Sequence, residues 1–86
     1  MLTTLNHFPV IQQEHHINGW VTVMVHRDGD PMPYVVATWW YGLGTQWSWG
    51  HYCHDLDEAR DQFEDVAKRN RSRGHVERDS KIAVFE

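Results

Sequence analysis

Eighty-six residues, 41% hydrophobic and 23% charged with a formal net charge of −4, predict one compact domain rather than two. No stretch of about 18 apolar residues is present, which excludes a transmembrane helix, and Met1-Leu2-Thr3-Thr4-Leu5-Asn6 lacks the basic start and apolar run of a secretory signal. The lone cysteine, Cys53, excludes an internal disulfide and fits a reducing cytoplasm, so neither a membrane protein nor a disulfide scaffold is expected.

In chain order, residues 8–17 look extended, with Pro9 near the start and a polar middle, Gln12-Gln13-Glu14-His15-His16. Asn18-Gly19 follows and predicts a two-residue type I′ hairpin turn, because both central residues of that turn need positive φ. Residues 20–26 alternate cleanly, Val21, Val23 and Val25 on one face and Trp20, Thr22, Met24 and His26 on the other, which predicts a strand. Arg27-Asp28-Gly29-Asp30-Pro31-Met32-Pro33 is a loop. Residues 34–41 are apolar on both faces and rich in β-branched and aromatic side chains, the pattern of a central strand. Gly42-Leu43-Gly44-Thr45 turns the chain into a further alternating strand over 46–53. Its heavier face carries Trp47, Trp49, His51 and Cys53, and Gly50 within it marks a bulge or a close approach by another group.

The helix signal comes next. Asp55 is a good N-cap and Glu58 stands at capping-box spacing. Leu56, Ala59, Phe63, Val66 and Ala67 form one apolar stripe, and Gly74 is the expected C-terminal stop. Asp55, Asp57, Glu58 and Asp61 crowd the start of the helix and Lys68, Arg69, Arg71 and Arg73 its end, so both ends complement the helix dipole. The fold class is therefore α+β: an antiparallel β-meander of about four strands with one helix packed on one face. Residues 81–85 add a short C-terminal strand.

One helix covers one face of a sheet. Trp39, Trp47 and Trp49 are assigned to the core beneath it, which leaves Trp20, Met24, Trp40 and Tyr52 on an open face. That face is expected to bind a partner, to form a homodimer, or to be closed by Leu2, Leu5, Phe8, Val10 and Ile11. The predicted partner-binding residues are Trp20, Trp40 and Tyr52 on the sheet with Asp57, Asp61 and Glu64 on the helix, since Trp and Tyr dominate interface hot spots.

Other constellations carry less. His51 and Cys53 share a strand face and make a two-ligand arm, with His15, His16, His26 and His75 as the pool for further ligands; a second short-spaced arm is missing, so no metal and no cofactor are expected. The same pair recast as a Cys–His nucleophile would begin near a helix start that acidic residues crowd, which opposes a thiolate. Hydrolase, metalloprotease, phosphate-loop and dinucleotide motifs are absent, and no enzyme is expected. Seven of eight basic residues lie between Arg60 and Lys81. Lys68, Arg69, Arg71 and Arg73 with sheet aromatics supply the alternative, a single-stranded nucleic-acid surface, against an acidic chain as a whole.

Trp47-Ser48-Trp49-Gly50-His51-Tyr52 running into Asp55-Leu56-Asp57-Glu58-Ala59 resembles the strand-into-helix junction of many small phage- and plasmid-encoded proteins. In class and topology the chain is similar to several anti-CRISPR proteins. That resemblance implies a cytoplasmic, stoichiometric inhibitor of a host nucleoprotein complex and assigns no residue roles.

Overall fold

A computed structural model describes residues 2–76 of the chain. Five strands form one antiparallel sheet in sequence order: β1 (Thr4–Leu5), β2 (Phe8–His15), β3 (Val21–His26), β4 (Tyr34–Trp39) and β5 (Ser48–Cys53). A short 3-10 turn, Tyr41–Leu43, joins β4 to β5, and one α-helix among the described residues, α1 (Leu56–Arg71), packs on β3, β4 and β5. The class is α+β with one helix on a meander, as the sequence predicts, and the added element is the two-residue strand β1. The expected strand at 81–85 lies outside the described residues.

The two-residue turn falls at another place than expected. Asn6 and His7 both have positive φ, 49° and 71°, and connect the paired Leu5 and Phe8, the two-residue turn anticipated at Asn18-Gly19. The β2–β3 connection instead has a three-residue loop, 17–19: Gly19 N–H donates to His16 O at 3.0 Å and His16 N–H to Trp20 O at 2.9 Å. Gly19 alone there takes positive φ, 94°.

Two bulges bend the sheet. The β2–β3 register shifts between Val10 and Gln12, which leaves Ile11 exposed. The β4–β5 register shifts between Val36, opposite His51, and Thr38, opposite Ser48, so that Trp49 and Gly50 share the space of one residue. Trp49 takes φ 52° at this bulge. Gly50 also meets the second expectation, close approach: a Cβ there would stand 3.2 Å from Trp47, Tyr52 and Val35 side-chain atoms.

The curled sheet has a core on each face. On one side Val21, Val23, Val25, Val35 and Ala37 pack with Leu5, and Leu2, Phe8, Val10, Trp39 and Trp47 close over them. Asn6 N–H donates to Thr45 O at 2.6 Å, drawing the first hairpin back to the β4–β5 connection. On the other side Met24, Val36 and Cys53 pack beneath Ala59, Phe63 and Val66 of α1, flanked by Tyr34 and Leu56.

This reverses the expected assignment of faces. Trp20, Met24, Val36 and Trp40 do share a face, but α1 lies on that face and the N-terminal segment covers the valines. Trp39 and Trp47 belong to the valine side, and Trp49 is 43% exposed rather than buried beneath the helix. The face on which a homodimer was expected is covered by the chain's own helix.

The helix begins as predicted: Asp55 Oδ1 accepts from Glu58 N–H at 2.8 Å, while Glu58 Oε1 accepts from His54 N–H at 2.8 Å. It stops earlier than Gly74, at the cap residue Ser72, and the chain there is tied to the β2–β3 connection through one helix carbonyl and two beyond the cap. Asn18 Nδ2 donates to Asn70 O at 2.7 Å and Arg73 O at 3.0 Å, and Trp20 Nε1 donates to Gly74 O at 2.8 Å.

Candidate cleft at the helix C-terminus

Asn70 sits at the centre of the polar part of the helix–sheet interface. It occupies the apolar stripe one turn beyond Val66 and is fully buried. Its Nδ2 donates to Thr22 Oγ1 at 2.9 Å and Thr38 Oγ1 at 3.1 Å, and its Oδ1 accepts from Arg73 Nε at 2.9 Å. Both threonines are buried and belong to the strand face that α1 covers. The network therefore satisfies groups that would each cost roughly 1–3 kcal/mol if left unpaired.

Asn70 holds Arg73 in place, and Arg73 in turn roofs two indoles. Its guanidinium carbon is 4.6 Å from the Trp49 ring centroid and 5.5 Å from that of Trp20. Trp20 meets Trp40 edge-on at 4.8 Å, and Trp49 approaches both, at 6.0 and 6.3 Å. Trp20 and Trp40 are buried, so Trp49 is the indole of this cluster that reaches solvent. Beside it opens a cleft of about 510 Å³ lined by Thr38, Trp49, Gly50, His51, Val66, Arg69 and Arg73. Neither Arg69 nor Arg73 has an ion-pair partner within 4.0 Å among the described residues.

The predicted partner-binding set does not form one surface. Trp20 is 6% exposed and Trp40 fully buried, which corrects their assignment to an open face: they cap and underlie the helix end. Tyr52 is half-exposed, but the bulge puts it opposite Val35 on the valine side, where the Arg27 guanidinium lies 4.8 Å from its ring centre. Asp57, Asp61 and Glu64 are exposed at spacings that place them on the outer side of α1, away from Tyr52.

The basic cluster is divided as well. Arg71 is spent on Glu14 through contacts of 2.8–3.0 Å. Lys68 is exposed on the outer helix side with Asp57, Asp61 and Glu64. Arg69 and Arg73 converge on the cleft. Sequence reasoning missed the cleft's Trp49, Thr38 and Val66, with Asn70 behind them, as a unit; Gly50 was the available signal, since a bulge there moves Trp49 off the strand's regular alternation.

Two arrangements have the residue types of catalysis without its access. Glu14 Oε2, His16 Nδ1, His16 Nε2 and Thr22 Oγ1 make an acid–imidazole–hydroxyl chain, with separations of 3.3 and 2.7 Å. Its hydroxyl is fully buried and also accepts from Asn70, so no substrate reaches it. Burial pushes the His16 pKa down, with Glu14 partly offsetting and Arg71 adding to the shift. Cys53 is 1% exposed, and burial followed by Glu58 and Asp55 pushes its thiol pKa up, away from a thiolate. His51 and Cys53 share a face, yet no group of three metal-ligating side chains occurs among the described residues. No helix among those residues is long and apolar enough to cross a membrane.

Comparison with protein-family models, curated proteins and solved structures finds no match for this chain.

Proposed function

We propose that this chain is a non-enzymatic protein-binding module whose contact surface is the cleft beside Trp49, and that its partner is a host nucleoprotein complex which it inhibits. The observation that carries the binding surface is the pairing of Trp49 with Arg73: a half-exposed indole held at φ 52° beneath a guanidinium that Asn70 anchors. A non-glycine residue in the left-handed region costs on the order of 1–3 kcal/mol and is kept where the surroundings or a function demand it. Trp and Arg are also the residue types that concentrate interface energy, and here both are fixed before any partner arrives. The likeness in class and topology to anti-CRISPR proteins supports the choice of partner.

A non-catalytic role is supported by the buried Thr22 hydroxyl and by the high pKa of the buried Cys53 thiol. The test is affinity capture from a lysate of the host cells, comparing the parent protein with Trp49→Ala and Tyr52→Ala at matched folded fractions. One stoichiometric partner, retained by the parent and Tyr52→Ala and lost by Trp49→Ala, is the expected result. Equal capture by all three proteins would overturn the assignment of the cleft.

A further inference from the structure

The lining of the cleft specifies more than a generic contact. We infer that it is a binding site for a nucleoside phosphate, the phosphate held by Arg69 and Arg73 and the base placed against Trp49 and Val66. The inference rests on reading this cleft as the contact surface, and it names the group that a nucleoprotein partner would insert.

Four observations converge on that ligand. First, the volume of about 510 Å³ lies within the range of small-molecule sites, large enough for one nucleotide and too small for a folded protein element. Second, two guanidinium groups without ion-pair partners among the described residues face it, with His51 alongside. Two positive charges exceed what one carboxylate needs and suit a phosphate dianion, which Arg engages through paired N–H donors. Third, Arg73 cannot swing freely, since Asn70 Oδ1 holds its Nε at 2.9 Å and its guanidinium carbon lies 4.6 Å from the Trp49 ring centroid. Its terminal N–H groups are thereby positioned at little entropic cost. Fourth, the floor combines an indole and Val66, the aromatic and apolar surface that a base requires.

The helix C-terminus would ordinarily repel an anion. Here the last-turn carbonyls of Lys68, Arg69 and Asn70 accept from Ser72 Oγ, Ser72 N–H and Asn18 Nδ2, which offsets their partial negative charge. The chain's net charge of −4 and the acidic outer side of α1 disfavour a long polyanion tracking over the surface. A single nucleotide entering the cleft avoids both.

Adenosine monophosphate, adenosine and inorganic phosphate are the probes, titrated into the full chain while tryptophan emission and backbone amide spectra are followed. Adenosine monophosphate should quench emission saturably and shift the amides of Trp49, Gly50 and His51, with adenosine and phosphate each at least about tenfold weaker. Arg69→Ala, at an exposed position, should weaken binding about tenfold or more, and Arg73→Lys should do the same by keeping charge while losing the paired donors. Arg60→Ala removes an equal charge from a position outside the cleft lining and should leave affinity unchanged. No saturable response up to roughly 10 mM nucleotide overturns the inference, as does equal weakening by Arg60→Ala and Arg69→Ala. A glutamate-rich peptide that competes for the same amides while the nucleotide does not would also overturn it. If the nucleotide fails but Trp49→Ala still loses the captured partner, the binding-module reading stands alone. If the nucleotide binds and capture is indifferent to Trp49, that reading fails instead.

Discussion

Replacing Trp20 by alanine separates the two roles that its indole was open to. On an exposed face the substitution would abolish partner capture and leave the fold intact. In the structure the ring is 6% exposed, packs edge-on against Trp40 at 4.8 Å and donates Nε1–H to Gly74 O at 2.8 Å. Truncating a buried Trp costs about 3–5 kcal/mol through lost burial and the cavity left behind. Loss of the donor to Gly74 O adds about 1 kcal/mol. A domain of this length holds roughly 4–13 kcal/mol in total, so Trp20→Ala removes a large share of its stability. At about 4–8 °C per kcal/mol, the melting temperature should fall by at least roughly 12 °C. Thermal and urea unfolding followed by circular dichroism measure this directly. Trp20→Phe retains most of the packing and should lose only about 1–2 kcal/mol. A Trp20→Ala protein melting within about 3 °C of the parent would refute the packing argument, since that is less than 1 kcal/mol in a domain of this size.

Asn70→Leu, which fills similar space without its hydrogen bonds, should cost about 2–4 kcal/mol in urea unfolding because Thr38 and Arg73 lose their side-chain partner. Combining it with Thr38→Val should recover part of that loss, since removing both sides of a buried pair is far cheaper than removing one; an additive further loss would disprove the network. Burial holds the His16 pKa below the ordinary imidazole value of 6.5, so the unfolded chain takes up that proton first as pH falls. Its contribution is therefore fully present above pH 6.5 and is lost below it, by at most about 1.4 kcal/mol per pH unit until the folded-state pKa is reached. His16→Gln should show a shallower decline between pH 7 and 5, and identical slopes would remove His16 as the cause. Gly50→Ala places a Cβ 3.2 Å from Trp47, Tyr52 and Val35 atoms and should cost about 1–3 kcal/mol by thermal melt, whereas a neutral result would mean the bulge relaxes freely.

Much of the fold was legible because its signals were local. The alternation of Val21, Val23 and Val25, the Asp55 cap and the stripe from Ala59 to Ala67 each act within a few residues, and each element formed where its pattern lay. The choice of sheet face was not local. Both faces of β3 and β4 are apolar enough to be buried, so periodicity alone gave α1 no preference. The preference came from polar groups that sequence reading discounts: Asn70 on the helix stripe meets Thr22 and Thr38 only on the Met24 side. Placed over the valines, the same Asn70 would be buried against side chains with no hydrogen-bonding atom.

The site was harder to read for a related reason. Counting tryptophans treats them as interchangeable, while a single register shift sorts them. Ser48 and His51 stand opposite Thr38 and Val36 and so share a face although three residues apart. Trp47 and Trp49, expected on one side, are thereby divided: Trp47 joins Phe8 over the valine core, at 6.4 Å, and Trp49 turns to Arg73. Without the extra residue Trp49 would follow Trp47 to the valine side, Arg73 would have no exposed ring beneath it, and the cleft would lose its floor. The bulge at Gly50 is thus the element on which the binding surface depends, and the excess of aromatic residues matters only through where that bulge sends one of them.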